Sequence, residues 1–200
     1  STVVVTGTNG KTTTTSLICR VARDSGRRAM TNPTGSNLER GVAAAILPYM
    51  DWGASFRDPA SLHAILELDE RAFIHLGPKL QPSVVVLLNL FRDQLDRYGE
   101  VDATAAAFAA SMDQIKSATL VVNADDPALV SISRRHKGPV IFFGMDGWCG
   151  EDAPDVWADV GRCPECDARL EWSWVVFAHL GDYRCCECGF CRPLPDVRVT

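Results

Sequence analysis

Short apolar segments that resemble β-strands alternate with helix-forming stretches through residues 1–145, and this alternation limits the possible folds more than any other feature. The predicted strands are Val3–Thr6, His63–Leu68, Ser83–Leu88, Thr119–Val122 and Val140–Phe143. The run from Val84 to Leu88 is apolar throughout, as expected of a strand buried on both faces. Strands that alternate with helices form parallel sheets. We therefore predict an α/β fold with a doubly wound, mostly parallel sheet, which binds ligands at the carboxyl ends of its strands.

The segment Thr6–Thr13, with the sequence TGTNGKTT, follows the first predicted strand and opens the predicted helix Thr12–Ser25. Its glycines let the backbone curl around a phosphate group, and the helix N-terminus adds partial positive charge. Lys11 is expected to reach the β- and γ-phosphates of ATP, and the Thr12 hydroxyl to bind Mg²⁺. The alternative is a plain glycine-rich turn, because Val5 stands where the common motif has its first glycine. The candidate ATP-binding residues of the loop are Gly7, Thr8, Asn9, Gly10, Lys11, Thr12 and Thr13.

Six of the eight cysteines lie within residues 163–191. Two C-x-x-C pairs are separated by 18 residues, a spacing typical of two turns that each direct a pair of thiolates at one zinc ion. With four protein ligands the Zn²⁺ would be structural, since no coordination position stays open. A third C-x-x-C pair, Cys188 and Cys191, shares Cys188 with the second and is the alternative second pair of ligands. Disulfide bonds are the alternative to metal binding. The predicted metal ligands are Cys163, Cys166, Cys185 and Cys188.

Composition and charge narrow the class of protein further. The formal net charge of -5 disfavours a nucleic-acid partner, because phosphate backbones are bound by clustered Lys and Arg. The chain has no apolar run long enough for a transmembrane segment and opens without a signal peptide, so we expect a cytoplasmic protein, excised from a longer one. The alternation of predicted strands and helices stops near Pro154. This change predicts a nucleotide-binding domain at 1–153, a zinc-ribbon insertion at 154–195 and a returning strand at 196–200.

The loop sequence TGTNGKT resembles the signature of the Mur ligase superfamily, which includes the folylpolyglutamate synthases. The resemblance implies the central, ATP-binding domain of such a ligase. It also implies a reaction in which ATP activates a carboxylate as an acyl phosphate and an amine displaces the phosphate. Lys11 would then be catalytic, because it neutralises charge that develops on the transferring phosphoryl group.

The segment LELDE at residues 66–70 ends a predicted strand. In the family, a glutamate at this place binds the magnesium ion that the loop threonine also holds. The resemblance therefore makes Glu67 a catalytic magnesium ligand, with Glu70 as the second choice. Without the resemblance, the segment is a solvated acidic turn.

Three other segments of the sequence resemble segments found in members of the family. Residues 89–99 carry Gln94 where amino-acid-adding members have a histidine, and residues 105–110 lack the lysine that those members carbamylate. Asp126, before Pro127, is predicted to cap a helix. Asn37, in the loop that begins at Asn32, is a candidate ATP ligand by resemblance and otherwise a helix cap.

Within the superfamily, the cysteine segment resembles the ligase subunits of lipid II isoglutaminyl synthases. The stretches that carry this resemblance are FAHLGDYRC at 177–185 and CGFCRPLPD at 188–196. They imply amidation of the D-glutamate α-carboxylate of lipid II at the inner face of the membrane, with ammonia from a GatD-like glutaminase subunit. The catalytic aspartate would lie in a C-terminal domain outside this chain, so the chain alone would be inactive. Two alternatives stay open: an amino-acid-adding ligase, and a non-enzymatic nucleotide-binding module with a zinc ribbon.

Overall fold

The computed structural model describes residues 1–32, 39–53, 55, 61–91, 100–115, 117–147 and 161–199, and for residues 100–105 it describes the backbone alone. Its main feature is a seven-stranded parallel sheet in the order β2-β3-β1-β4-β5-β6-β9. The strands of this sheet are β1 Thr2–Thr6, β2 Arg28–Met30, β3 Leu62–Glu67, β4 Val84–Leu87, β5 Thr119–Asn123, β6 Val140–Met145 and β9 Val197–Val199. The predicted parallel α/β sheet is confirmed, and the five predicted strands lie within two residues of the observed bounds.

Five α-helices and one short 3₁₀ turn, Leu47–Tyr49, connect the strands in the described part of the chain. The α-helices are α1 Lys11–Asp24, α2 Glu39–Ile46, α3 Glu70–Leu80, α4 Glu100–Met112 and α5 Pro127–Arg134. The prediction of a helix over Asp102–Lys116 was wrong at its C-terminal end. After Met112 the chain tightens into i to i+3 hydrogen bonds, which turn Ile115 into the core, where it is fully buried.

The two faces of the sheet are covered by different helices, because successive side chains of a strand point to opposite faces. On one face Leu66 joins the main core with residues of α3 and α4, whose Phe73 and Phe108 rings stack 4.6 Å apart. On the other face Ile65 packs against Cys19 of α1. The sheet is therefore doubly wound, and the loops at the carboxyl ends of its strands meet at one edge.

The cysteine ribbon, residues 161–195, forms an antiparallel hairpin beside the sheet. Its strands are β7 Leu170–Phe177 and β8 Leu180–Cys185, so the strand predicted at Glu171–Ala178 is confirmed. Tyr183 and Phe190 of the ribbon are buried in a small core that includes Val130 of α5. After the ribbon, β9 pairs in parallel with β6 and extends the main sheet. This packing places the ribbon over the α5–β6 side of the sheet.

Candidate nucleotide site and candidate metal centre

The predicted phosphate loop lies between β1 and α1, at the carboxyl end of the central strand. Gly7 is buried with φ +139°, and a Cβ there would lie 2.9 Å from the carbonyl oxygen of Asn89. Only glycine fits this close approach. Gly10, with φ +83°, occupies the N-cap of α1 in the left-handed region. The two glycines therefore give the loop the curvature that presents backbone N–H groups to an anion.

Asn89, just beyond the end of β4, forms hydrogen bonds with the phosphate loop that follows the neighbouring strand β1. Its side chain accepts a hydrogen bond from the N–H of Asn9 at 2.8 Å and donates one to the carbonyl oxygen of Asn9 at 3.1 Å. Its own carbonyl oxygen accepts the N–H of Thr8 at 2.9 Å. Sequence reasoning assigned Asn89 no role. The available signal was its place directly after a strand predicted to be buried, at the start of the segment 89–99 that resembles the family.

The Lys11 ammonium lies against the loop that precedes it. Nζ donates hydrogen bonds to the carbonyl oxygens of Gly7 at 2.6 Å and Thr8 at 2.9 Å. The positive charge is thus held beside the curved backbone, close to where a bound phosphate would need it. Thr13, the last of the candidate ATP-binding residues of the loop, lies exposed in the first turn of α1.

Thr12 and Glu67 form the pair most suited to a magnesium ion. The Thr12 hydroxyl donates a 3.0 Å hydrogen bond to Oε1 of Glu67, whose residue is only 6% exposed. The parallel pairing of β1 with β3, which sets Val5 opposite Glu67, brings the carboxylate to the loop. A carboxylate and a hydroxyl are hard oxygen ligands of the kind that Mg²⁺ takes, so the donor set fits the ion.

Asn32 holds the main chain of Glu67 in this position. Its side chain accepts a hydrogen bond from the Glu67 N–H at 2.8 Å and donates one to the Glu67 carbonyl oxygen at 2.9 Å. Asn32 is 5% exposed and follows β2, the neighbour of β3. The sequence placed Asn32 in a candidate ligand loop but did not predict this clamp.

Glu70, the second candidate for magnesium, also contacts the loop. The Thr8 hydroxyl donates a 2.6 Å hydrogen bond to Oε1 of Glu70, the first residue of α3. The structure therefore brings both glutamates to the loop, but only Glu67 meets Thr12. Asn37 and Gln94 lie outside the described residues.

The sulfurs of the four predicted metal ligands lie within 4.8 Å of one another. Tetrahedral Zn²⁺ with Zn–S bonds of about 2.3 Å requires sulfur–sulfur distances of about 3.8 Å. The distances are 3.5 Å between the sulfurs of Cys163 and Cys188 and 3.5 Å between those of Cys166 and Cys185. No disulfide links the seven cysteines among the described residues. The donor set and its spacing fit a zinc ion.

The second cysteine turn favours metal binding through its backbone. The N–H of Cys188 lowers the pKa of the Cys185 thiol to about 7, whereas burial raises the pKa of Cys163, so the backbone favours the thiolate at Cys185 in particular. Gly189 takes φ +74° after the turn, and its N–H donates to the carbonyl oxygen of Cys185 at 3.1 Å. Cys186 and Cys191 are exposed and lie outside the cluster of four.

Consecutive aspartates after β5 connect the ribbon to the sheet. Asp125 forms a buried ion pair of 2.7 Å with Arg192. Asp126 caps α5 as predicted, accepting hydrogen bonds from the N–H groups of Ala128 and Leu129. It also lies 3.2 Å from Nε2 of His179 in the ribbon. Sequence reasoning found the cap but missed both contacts with the ribbon.

Among the residues that the structure describes, none of the helices has the length and apolar character that crossing a bilayer requires.

Comparison with known proteins gives the context of this site. The chain is 34% identical to the lipid II isoglutaminyl synthase (glutamine-hydrolyzing) subunit MurT of Streptococcus pneumoniae over 99% of its own length and 43% of that protein. A UDP-N-acetylmuramoylalanine--D-glutamate ligase of a Caulobacter species is 37% identical over 62% of this chain and 24% of the ligase. The chain thus spans less than half the length of these curated relatives.

The fold is also similar to that of a pseudomurein peptide ligase type C from Methanothermus fervidus, with a TM-score of 0.69 and 24% identity. That likeness covers 98% of this chain and 37% of the other. The sequence model of the Mur ligase middle domain matches residues 5–152, which hold the phosphate loop, Glu67 and Asn89. The chain therefore belongs to the Mur ligase middle-domain family.

Proposed function

We propose that this chain is the ATP-binding part of a ligase that amidates the α-carboxylate of D-glutamate in lipid II, using ammonia from a glutaminase subunit. In the first step the carboxylate oxygen attacks the γ-phosphorus of ATP, and ADP leaves. In the second step ammonia attacks the carbonyl carbon of the acyl phosphate, loses a proton and displaces inorganic phosphate. The product is D-isoglutamine.

The observation that carries the nucleotide part of the proposal is the contact of Thr12 with Glu67 at the foot of the phosphate loop. A magnesium ion bound there would neutralise charge on the β- and γ-phosphates. Lys11 would add a second positive charge at the γ-phosphate, and the backbone N–H groups of the loop would hold the phosphate oxygens. These fixed charges favour the transition state of phosphoryl transfer, because charge spreads over the phosphoryl oxygens as the bond to ADP breaks.

The substrate and the partner rest on the similarity to MurT. The name of that relative states a lipid II substrate, glutamine hydrolysis and a subunit role, and the alignment includes the cysteine ribbon because it covers 99% of the chain. The alignment with the D-glutamate ligase covers 62%. The absence of lysine from residues 105–110 supports ammonia over an amino acid as the nucleophile. The reaction would then take place at the cytoplasmic face of the membrane, where a lipid-linked substrate is accessible.

The cysteine cluster would hold a structural Zn²⁺ through Cys163, Cys166, Cys185 and Cys188. Four thiolate ligands leave no position for a substrate, so we assign the metal no chemical step. It would stabilise the fold of the ribbon, whose own apolar core is small.

The proposal is tested with the full-length protein that contains this chain, incubated with lipid II, Mg-ATP and ammonium salt. Mass spectrometry of the stem peptide should show an amide in place of the α-carboxyl, with one ADP and one inorganic phosphate released per turnover. Addition of the glutaminase subunit should allow glutamine to replace ammonium. Incorporation of a labelled amino acid, with no amide formed from ammonium, would support the amino-acid-adding alternative. Loss of ATP dependence would contradict both.

A further inference from the structure

The turn of the ribbon hairpin lies against the segment that follows β4. Ala178 and His179 connect β7 to β8, and Ala178 adopts φ +51°, an uncommon conformation for a residue with a Cβ. His179 is 5% exposed although it sits in a hairpin turn. A buried imidazole at the end of a hairpin indicates that the turn is packed against a partner rather than directed at solvent.

The partner is a carboxylate that the ribbon and the main sheet share. Nε2 of His179 lies 3.2 Å from Oδ2 of Asp126, and the N–H of Leu90 donates to the same oxygen at 2.8 Å. A carboxylate only accepts hydrogen bonds, so Nε2 carries the proton in this contact. Asp126 is fully buried, and its other oxygen caps α5. The contact with His179 thus helps to satisfy a buried charge that also fixes Leu90.

Phe91 carries the connection from the ribbon to the phosphate loop. Its ring meets the His179 ring edge-on at 4.8 Å and the Phe177 ring at 5.5 Å. Its N–H donates a 2.9 Å hydrogen bond to the Thr8 hydroxyl, which in turn donates to Glu70. Residues 89–91 lie beyond the end of β4, where the sheet no longer fixes the backbone, so these contacts hold the segment in place.

We propose that His179 is a positioning residue. The hairpin turn of the ribbon holds residues 89–91, and these hold the phosphate loop through the bonds of Phe91 with Thr8 and of Asn89 with Asn9. Folding of the ribbon, and with it metal binding, is thereby coupled to nucleotide affinity. Coupling of this kind is reciprocal, so bound nucleotide increases the affinity of the ribbon for its metal by the same factor. This inference rests on the proposed function for its nucleotide, but its structural part is testable without one.

The test compares His179→Leu with His179→Gln in the zinc-loaded chain. The glutamine side chain is similar in length to histidine and can donate an N–H to Asp126, whereas leucine leaves the carboxylate without that donor. The first readout is hydrogen exchange at the amides of Thr8 and Asn9 in the absence of nucleotide. We expect exchange about tenfold faster in His179→Leu, near-native exchange in His179→Gln, and unchanged exchange in β5. The second readout is the dissociation constant for Mg-ATP, expected to rise at least about fivefold in His179→Leu.

Ser131→Ala is the matched control. Ser131 of α5 donates a 2.7 Å hydrogen bond to Glu165 of the ribbon, so the variant weakens the contact of ribbon and sheet away from the hairpin turn. It should change neither readout. If His179→Leu does not fold, Phe91→Leu replaces it, because that variant removes the ring contacts and keeps the Asp126 pair.

Native exchange at Thr8 and Asn9 in a folded, zinc-loaded His179→Leu or Phe91→Leu chain would overturn the inference. Equal acceleration in Ser131→Ala would also overturn it, since the effect would then be general loosening of the ribbon. A native chain that binds no Mg-ATP would contradict the proposed nucleotide function and the coupling to it, whereas the exchange comparison would still decide the structural part.

Discussion

The side chain of Asn32 makes two hydrogen bonds with the main chain of Glu67, 2.8 and 2.9 Å long, from the end of one strand to the end of its neighbour. With its backbone fixed on one side by β1 and on the other by Asn32, Glu67 directs its carboxylate at the Thr12 hydroxyl. A carboxylate held in this way needs little reorganisation to bind a cation that also contacts the loop. This arrangement supports the proposal that Glu67 binds magnesium.

Glu67→Gln is expected to weaken the magnesium dependence of nucleotide binding more than the stability of the fold. The amide keeps the size of the side chain and can still bond to Thr12, but it removes the negative charge that Mg²⁺ requires. We expect the apparent affinity for Mg²⁺ in the presence of ATP to fall by about 10–100-fold. Titration of Mg²⁺ at fixed ATP measures it. Glu70→Gln is the matched control, and a larger loss in that variant would assign the ion to Glu70.

Lys11→Ala is expected to abolish ATP-dependent activity of the full-length protein while the domain stays folded. Nζ bonds only to carbonyl oxygens of the loop among the contacts described, so no buried carboxylate loses a partner. Loss of one charge that stabilises the transferring phosphoryl group should lower turnover by about 100-fold or more. Turnover and thermal unfolding are measured together. Lys79→Ala, at an exposed surface pair with Glu39, should leave both unchanged. Near-native turnover in Lys11→Ala would exclude the loop from the mechanism.

Gly7→Ala is expected to destabilise the domain and displace the phosphate loop. The new Cβ would meet the backbone of Asn89 at 2.9 and 3.0 Å, and the residue would be held at a φ that only glycine adopts readily. Gly26→Ala is the control, since Gly26 also has positive φ but nothing lies within 4 Å of its Cβ position. We expect the control to lose about 1–2 kcal/mol of unfolding free energy and Gly7→Ala about 1–3 kcal/mol more. Urea denaturation measures both, and equal losses would argue against the close approach.

Serine in place of Cys163, Cys166, Cys185 or Cys188 is expected to release zinc and unfold the ribbon. A bound metal would supply much of the stability of a unit with so small a core. Elemental analysis should find zinc retained in Cys186→Ser and Cys191→Ser, because both residues lie outside the cluster. Retention of metal in Cys185→Ser with loss in Cys191→Ser would show that the other C-x-x-C pair binds. The phosphate-loop domain, with its own core, should stay folded in every variant.

The sequence by itself determined the features that depend on local pattern. Apolar runs separated by helical stretches predicted the parallel sheet, and the sequence from Thr6 to Thr13 predicted a curved loop before a helix. Asp126 before Pro127 predicted the helix cap, which needs only neighbouring residues. The spacing of the cysteines predicted two C-x-x-C turns facing each other on one hairpin, and the preferred set of Cys163, Cys166, Cys185 and Cys188 is the one whose sulfurs cluster.

The tertiary structure alone decided the contacts that depend on strand order. Thr12 meets Glu67 across 55 residues of sequence, and Asn9 meets Asn89 across 80, because β3 and β4 flank β1 in the sheet. Glu67 and Glu70 could not be separated by sequence, since both are carboxylates at a strand end. The parallel register that sets Val5 opposite Glu67 brings Glu67 to the Thr12 hydroxyl, whereas Glu70 contacts Thr8. The contacts of His179 with Asp126 and Phe91 could not be predicted from the sequence either, because the residues around a histidine in a hairpin turn do not indicate what it packs against. Local sequence fixes backbone conformation and spacing, whereas the partners of a side chain are set by elements that the chain brings together only when it folds.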